Sequence, residues 1–390
     1  MNTPADWDPR SPAVQDDQIA AYDAMRSRCP VAHSDYLHWS LFRHGDVMRV
    51  LTDHQTFSNA VSGHVSVPNG MDPPLHTVYR RLIEPYFDPS RMLAFEPACE
   101  RIAAELVEWL PRNGECELMR DFAEEFALRA QCAFLGWPDA LRDPLRDWIR
   151  DNQRARLAHD RAALAAVAHT FDRHVQTQLA ARRQAGAQAP DDAMTRLMHE
   201  RVALPDGGER LLNDDELASI LRNWTVGELG TIAASIGIVA HYLAERPALQ
   251  QQLRDAPALL AAAIDEMLRI HAPLITNRRV VTRSVDIGGR RIEAGQRITL
   301  VWASANRDEA VFGDAGEFRL DRDPALNLLY GAGIHVCPGA PLARMELQRV
   351  IARLLAARRL ALLPGTAPLR ASYPGSGFSS LPLALTPLSR

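Results

Sequence analysis

The 390-residue sequence contains no lysine, so all 44 of its basic residues are arginine. Enzymes that bind a carbonyl substrate or pyridoxal phosphate as a Schiff base need a lysine amine, and P-loop nucleotide-binding proteins need a lysine beside the phosphates. The absence of lysine therefore excludes these classes. A GC-rich coding bias is the simplest origin of the absence.

Cysteine is scarce as well, with five scattered residues and no C-x-x-C pair. Disulfide frameworks, zinc ribbons and iron–sulfur sites need closely spaced cysteines, and the odd number favours a reducing compartment. The N-terminal stretch is polar and has no signal-peptide pattern. The longest uncharged apolar run, Thr231–Ala244, is shorter than the roughly 20 residues of a membrane-spanning helix. We therefore expect a cytoplasmic protein without a membrane anchor.

An excess of basic charge is also missing, because the formal net charge is −4. The sequence thus gives no electrostatic basis for binding nucleic acid. Its 47% hydrophobic and 24% charged residues are typical of a globular enzyme. The length suits one large domain or two smaller ones. Since we find neither an internal repeat nor an interdomain linker, we expect a single domain over residues 1–390.

The spacing of apolar residues predicts a mainly α protein with a small β portion. Apolar residues recur every three or four positions in a helical body at about residues 76–270 and 338–360. Short strand-like segments predict a β-rich part at about residues 36–70 and 275–305, together with a C-terminal strand.

Three local patterns predict where particular elements begin. Asp46 is expected to cap a helix after a turn at residues 44–46. Residues 202–212 are typical of a hairpin. Asn213 and Glu216 then form the pattern of a capping box, which predicts the start of a very long helix.

One cysteine stands in an unusual setting, the stretch LLYGAGIHVCPGAPLAR at residues 328–344. The glycines at 331, 333 and 339 permit a tight turn and let a flat ligand approach the backbone. Cys337 precedes a predicted helix, whose dipole and free N–H groups favour a thiolate. Such a thiolate suits a soft axial ligand to haem iron. The alternatives are a buried structural cysteine and a catalytic nucleophile, although the stretch matches no cysteine-hydrolase signature.

At these residues the sequence resembles the cytochrome P450 family in its soluble bacterial form. The family motif F-G-x-G-x-[HR]-x-C-x-G-x-x-L-A-R-x-E is matched from Tyr330 to Glu346, and Tyr330 in place of phenylalanine is the one departure. The motif is long and specific, and the resemblance extends over nearly the whole chain. It implies the cytochrome P450 fold, haem b (iron protoporphyrin IX) as the cofactor, and Cys337 as the ligand to its iron.

A second stretch, EMLR, places Glu266 and Arg269 one helical turn apart. Alone, E-x-x-R is a weak signal and usually marks a surface ion pair. The resemblance implies instead that the two residues join a buried network with Arg322 of FRLDR, beneath the haem.

Further residues are expected at the haem propionates. In DPPLHTVYRR, His76 and Arg80 are four residues apart on a helix and can point at one anion, which the resemblance makes a propionate. His335 is another candidate. Of the neighbouring Arg278 and Arg279, strand alternation lets only one point inward. The R-x-x-T spacing favours Arg279, while ungapped counting from the E-x-x-R stretch leaves Arg278 open.

The sequence departs from the family on the long central helix, where the family has [AG]-G-x-[DE]-T over the haem. This chain has VGELGT, and counting back from residues 246–247 places Thr231 at the threonine that helps to deliver protons. The acid position is then Gly230. Glu228 takes the place of a usual glycine, beside Gly227, which is expected against the haem. A shift of two residues rotates a side chain by roughly 200° on a helix. Glu228 therefore does not simply replace the missing acid: it relays protons itself, contacts substrate, or pairs with an arginine as a structural residue.

The resemblance implies a haem–thiolate monooxygenase that inserts one oxygen atom from O₂ into a small apolar substrate, such as a terpenoid or a simple aromatic. Without a flavin or dinucleotide fingerprint, its electrons are expected from a ferredoxin and a ferredoxin reductase, which Arg344 could help to dock. The expected pocket residues are 61–67, Gly227, Thr231, 274–276 and 375–378. The altered relay leaves a peroxide-driven or oxidative-coupling enzyme open, and a haem-based sensor or carrier is the alternative outside enzymes.

Overall fold

Helices make up most of the chain, as the apolar spacing predicts. The structure, a computed structural model, describes residues 5–63, 65–158, 160–203 and 207–388. In chain order the helices are α1 (Pro12–Asp16), α2 (Gln18–Arg28), α3 (His44–Thr52), α4 (Leu75–Ile83), α5 (Pro89–Trp109), α6 (Glu124–Leu135), α7 (Arg142–Ala158), α8 (Arg161–Ala185), α9 (Ala193–Leu197), α10 (Asp214–Ala244), α11 (Pro247–Asp255), α12 (Leu260–His271), α13 (Trp302–Ala305), α14 (Glu309–Phe312) and α15 (Ala340–Ala357).

The strands are short and form a small part of the fold. They are β1 (Val31–Ser34), β2 (His38–Leu41), β3 (Phe57–Ser58), β4 (Gly114–Glu117), β5 (Arg201–Ala203), β6 (Glu209–Leu211), β7 (Thr276–Val281), β8 (Val285–Ile287), β9 (Arg290–Ile292), β10 (Arg297–Val301), β11 (Arg358–Leu362), β12 (Leu369–Arg370), β13 (Phe378–Ser380) and β14 (Pro382–Pro387). A five-stranded sheet has the order β1-β2-β10-β7-β3, in which only β2 and β10 run parallel. A three-stranded antiparallel sheet has the order β11-β14-β4.

Helix α10 runs through the largest hydrophobic core and packs on α6, α12 and α15. By length and hydropathy alone it could cross a membrane, but 67% of its most apolar window is buried inside the protein. A core helix that is apolar on most sides explains the same pattern. Side chains on opposite sides of α10 have different surroundings, so the position of this helix determines which of them can contribute to a site.

The local patterns predict some element boundaries correctly and one wrongly. The capping box is confirmed, since Asn213 and Glu216 exchange hydrogen bonds of 2.9 Å at the start of α10. The hairpin is confirmed by the pairing of β5 with β6, and its tip, residues 204–206, lies outside the described residues. The prediction of Asp46 as a helix cap is wrong, because α3 begins at His44. The N–H of His44 donates instead to Asp308 Oδ2 at 2.9 Å, so a distant residue caps this helix.

Candidate active site

The cysteine loop is shaped by two glycines with left-handed backbone. Gly331 and Gly333 have φ values of +73° and +70°, which residues with a Cβ rarely adopt. At Gly333 a Cβ would also lie 2.2 Å from the carbonyl oxygen of Leu51, so the end of α3 packs directly on the loop. The N–H of Cys337 donates to the carbonyl of Tyr330 at 2.8 Å. These contacts hold Cys337 at a fixed position ahead of α15.

The Cys337 thiol is accessible and yet desolvated. Its side chain is exposed by surface area, whereas the surrounding protein raises the pKa of the thiol by desolvation. The N–H groups of Gly339 and Ala340 hydrogen-bond to the sulfur and lower its pKa, while the charge of Glu228 raises it. Backbone donors of this kind stabilise a thiolate that ligates iron.

The E-x-x-R pair forms the predicted buried network. Nε and Nη2 of Arg269 donate to the Glu266 carboxylate at 2.7 and 2.9 Å, and Nε of Arg322 donates to it at 2.9 Å. Arg269 is 1% exposed, and its Nη1 donates to the carbonyl of Asn306 at 2.6 Å. The expected network with Arg322 is therefore confirmed, and it ties α12 to the segments that precede the cysteine loop.

Two of the predicted propionate residues are neighbours. The rings of His76 and His335 lie 4.2 Å apart between centroids, and within the described chain Nε2 of each is buried without a hydrogen-bond partner. Desolvation lowers the pKa of both imidazoles, that of His335 to about 3, and the positive charge of Arg80 lowers them further. Two neutral rings with unpartnered nitrogens can hydrogen-bond to a ligand.

Arg279 is the inward arginine of β7. It is 3% exposed, whereas the neighbouring Arg278 on the other face of the strand is half-buried. Its Nη1 donates to the carbonyl of Arg278 at 2.7 Å, and no carboxylate of the described residues forms an ion pair with it. Desolvation lowers its pKa to about 10, an effect that the charge of Asp72 opposes. Strand alternation thus favours Arg279 over Arg278 as the buried cation.

Arg80 has protein partners of its own. Its Nε donates to Glu84 at 2.8 Å and its Nη1 to the carbonyl of Val336 at 2.7 Å, directly before the cysteine. Arg80 therefore links α4 to the loop.

These residues fit the propionate edge of a haem. A buried cation without a carboxylate partner and two unpartnered imidazoles are costly unless a ligand with carboxylates pairs with them. In the described parts of the chain, no three His, Cys, Asp or Glu side chains come together as ligands of a metal ion.

One face of α10 is open although the helix lies in the core. Val226 is 44% exposed, and a Cβ at Gly227 or Gly230 would meet no atom of the described chain within 4 Å. On the same stretch, Thr231 Oγ1 donates to the carbonyl of Gly227 at 2.7 Å. A flat or apolar ligand can approach the helix backbone here.

Glu228 lies on the buried side of the same turn. It is 9% exposed, and its carboxyl group hydrogen-bonds with that of Glu346 on α15. Burial raises the pKa of both groups, and the charge of Glu228 raises that of Glu346 further. No arginine of the described residues pairs with either carboxyl. The interpretation of Glu228 as an arginine partner is therefore wrong for the described chain.

Sequence reasoning missed Glu346 as a functional candidate. Its one signal was its place at the end of the cysteine motif. That motif shows neither its complete burial nor the contact with Glu228, because the two residues lie far apart in the sequence.

The residues predicted to line the substrate pocket differ in their exposure. Val65 and Leu274 are 56% and 43% exposed and present apolar surface. Val67 and Phe378 are buried, and His64 lies outside the described residues.

The tyrosine that departs from the family motif packs against Arg344. The Arg344 guanidinium lies 4.4 Å from the centroid of the Tyr330 ring, and its Nε donates to Asp265 at 3.0 Å. Its side chain remains 52% exposed. The Tyr330 ring therefore lies against a guanidinium group that also pairs with Asp265.

Comparison with known proteins agrees with this geometry. The family model described as Cytochrome P450 matches residues 139–385. The chain is 30% identical to the putative cytochrome P450 YjiB of Bacillus subtilis over 86% of each chain. It is 31% identical to the steroid C26-monooxygenase of Mycolicibacterium smegmatis, over 81% of this chain and 79% of that protein. The solved structure of a mutant of P450 EryK in complex with erythromycin B superposes with a TM-score of 0.85 at 26% identity, covering 97% of this chain and 98% of that one. The predicted mainly α fold with a small β portion is confirmed.

Proposed function

Because the chain belongs to the cytochrome P450 family, we propose that it inserts one oxygen atom from O₂ into a small apolar substrate, such as a terpenoid or a simple aromatic. It is a cytochrome P450 monooxygenase, and its haem, when bound, supplies the activation of O₂. The observation that carries the proposal is the accessible Cys337 thiol, held by two backbone N–H groups in a desolvated interior.

The proposed cofactor is haem b, with the Cys337 sulfur as ligand to its iron. Its two propionates would be held by Arg279, His76, His335 and Arg80. The support is electrostatic, since Arg279 is buried without an ion-pair partner in the described chain. Gly227 would let the ring approach α10, because its Cα faces open space.

Thr231 is the residue proposed to move a proton on the open face of α10. Its hydroxyl group is oriented by the 2.7 Å bond to the Gly227 carbonyl, so its own oxygen lone pairs point away from that carbonyl. Glu228 is the acid on the preceding turn and is proposed to hold the proton that Thr231 passes on.

The proposed electron donors are a ferredoxin and its reductase. The sequence carries no fingerprint for a flavin or a dinucleotide, and the half-exposed Arg344 is available to an acidic partner. We propose that the whole chain forms one catalytic domain and works in the cytoplasm.

The first experiment is a titration of the purified ferric protein with terpenoids, aromatic acids, fatty acids and a steroid. A shift of the Soret band to high spin would identify a substrate class. Product with one oxygen atom from ¹⁸O₂, formed with NADH, ferredoxin and reductase, supports the proposal. Thr231→Ala should then lower the product formed per NADH consumed, with Val226→Ala on the same face as the control. If a compound binds and shifts the Soret band but yields no oxygenated product, the proposed function is overturned.

A peroxide-driven or oxidative-coupling reaction is the second candidate, and Gly230 favours it. The position lacks the acid that the family uses there, so reductive activation of O₂ has one proton donor fewer. Turnover with hydrogen peroxide but not with NADH and ferredoxin would select this candidate. Binding of gases without turnover in either assay would select a sensor or carrier.

A further inference from the structure

Two carboxyl groups meet in the core between α10 and α15. Glu346 is 0% exposed and Glu228 is 9% exposed. In the described residues, Glu228 Oε1 and Glu346 Oε2 have no hydrogen-bond partner, and Cys99 Sγ lies 4.0 Å from Glu346 Oε1. A side-chain hydrogen bond joins the two carboxyl groups to each other.

Among the residues that the structure describes, no positive charge compensates this pair. Neither carboxyl forms an ion pair with an arginine or a histidine of the described chain, and burial together with the other carboxyl shifts the pKa of each. The arginines that flank Glu346 on α15 pair elsewhere, Arg344 with Asp265 and Arg349 with Glu96 and Glu100. A hydrogen bond between two carboxyl groups requires a proton on one of them.

The pair also lies close to the proposed oxygen-activating site. The charge of Glu228 acts on the Cys337 sulfur, and the carbonyl of Glu228 lies 3.5 Å from Thr231 Oγ1. The acid position that the family uses, Gly230, carries no side chain. Glu228, which lies one helical turn before Thr231, is therefore the acid on this part of α10, and Glu346 is its partner.

We infer that Glu228 and Glu346 share one proton and together serve as the proton store of the oxygen-activating helix, in place of the acid absent at Gly230. Glu228 is the member next to Thr231, and Glu346 is a positioning residue that acts through it. A proton that leaves the pair toward Thr231 is replaced from solvent, so the pair returns to its singly protonated state. The role in turnover rests on the proposed monooxygenase function, whereas the shared proton does not.

Infrared spectroscopy of the holoenzyme tests the shared proton without any turnover. The difference spectrum between wild type and the double variant Glu228→Gln/Glu346→Gln should contain one protonated-carboxyl band, shifted in D₂O, together with the bands of one ionised carboxylate. Carboxylate bands alone would mean two ionised groups, and protonated-carboxyl bands alone would mean two separate protons. Either result overturns the inference. If the double variant does not fold, Glu228→Gly/Glu346→Gln, which restores at 228 a residue usual in the family and still removes both carboxyls, replaces it in the same comparison.

Coupling of NADH oxidation to product tests the role of the pair. Glu228→Gln, Glu346→Gln and the double variant should each lower the product per NADH by at least about tenfold, and by a similar factor, because either change destroys the same acid. Glu96→Gln is the matched control, since it removes a carboxylate between α5 and α15 without touching the pair, and should match wild type. The inference would be overturned if the loss in the double variant equalled the product of the losses in the two single variants, or if Glu346→Gln had no effect.

Rescue distinguishes a proton store from a packing role. Position 230 has space for a side chain, so Gly230→Asp in the double variant should restore most of the coupling while changing little in wild type. Failure to rescue, with the variant folded and haem-loaded, would contradict the inferred role. A protein that shows the shared proton but oxygenates nothing would refute the proposed function and leave the proton pair standing.

Discussion

Glu266→Gln is predicted to destabilise the protein severely, although the side chain changes little in shape. The carboxylate accepts hydrogen bonds from Arg269 and Arg322 and, at 3.2 Å, from the N–H of Arg319. A glutamine keeps one oxygen and turns an NH₂ group toward a guanidinium donor. Since Arg269 is 1% exposed, its charge would be buried without a counter-ion.

Breaking a buried ion pair from one side costs about 3–5 kcal/mol. That is a large share of the 5–15 kcal/mol by which a typical domain is stable. We expect the urea midpoint of the haem-loaded variant, followed by circular dichroism, to fall accordingly, and its rate of unfolding to rise. Asp321→Asn is the control, because Asp321 pairs with Arg319 at the exposed surface and should unfold like wild type. A Glu266→Gln variant that unfolds like this control would refute the reasoning.

Three further outcomes follow from the structure. Arg279→Leu should release haem to an acceptor protein about tenfold or more faster than wild type, and Arg278→Leu should not, because only Arg279 is a buried cation without an ion-pair partner in the described chain. Gly295→Ala should destabilise the protein by the about 1–2 kcal/mol of left-handed strain, and Gly333→Ala should destabilise it by well more, with a correspondingly lower denaturation midpoint. The reason is that a Cβ at Gly333 would meet the backbone of Leu51, whereas a Cβ at Gly295 would meet no described atom within 4 Å. Desolvation and nearby positive charge lower the pKa of His271 from 6.5 to about 4. The unfolded chain therefore binds more protons in that window, so stability should fall as the pH drops from 6.5 to 4, and less so in His271→Gln. Equal rates of haem loss from the two arginine variants would contradict the first expectation, and equal midpoints of the two glycine variants would contradict the second. The third would be contradicted if His271→Gln lost stability with falling pH as much as wild type does.

Local signals in the sequence predicted most of the cysteine side of the site. Glycine is the residue that most readily adopts a left-handed backbone, and Gly331 and Gly333 both do so. The positions of these glycines before Cys337 therefore predicted the shape of the loop. Likewise Glu266 and Arg269 are one turn apart on a helix, and their pairing is a property of that spacing. The residue pattern of Asn213 and Glu216 also predicted the capping box at the start of α10.

Contacts between distant segments could not be predicted in this way. The cap of α3 is Asp308 rather than Asp46, because the fold brings a residue of a later segment to the helix end. The choice between Arg278 and Arg279 needed the register of β7 in its sheet, which the residue pattern alone left open. The partner of Glu228 lies on another helix, so only packing could reveal that it is a carboxyl group and not an arginine.

That partner explains how α10 tolerates an acid where the family has a glycine. Two ionised carboxylates about 4 Å apart repel by about 4 kcal/mol even at an effective dielectric constant of 20, and burial would add the desolvation of both charges. A single shared proton removes the repulsion and makes a hydrogen bond of the same contact. Glu228 is therefore compatible with this core when a neighbouring group shares a proton with it, and Glu346, at the end of the cysteine motif, is that neighbour. Glu228, where the family has a glycine, therefore does more than replace a small residue on the helix. Through its hydrogen bond to Glu346 it connects α10 to α15, the helix that follows the cysteine loop.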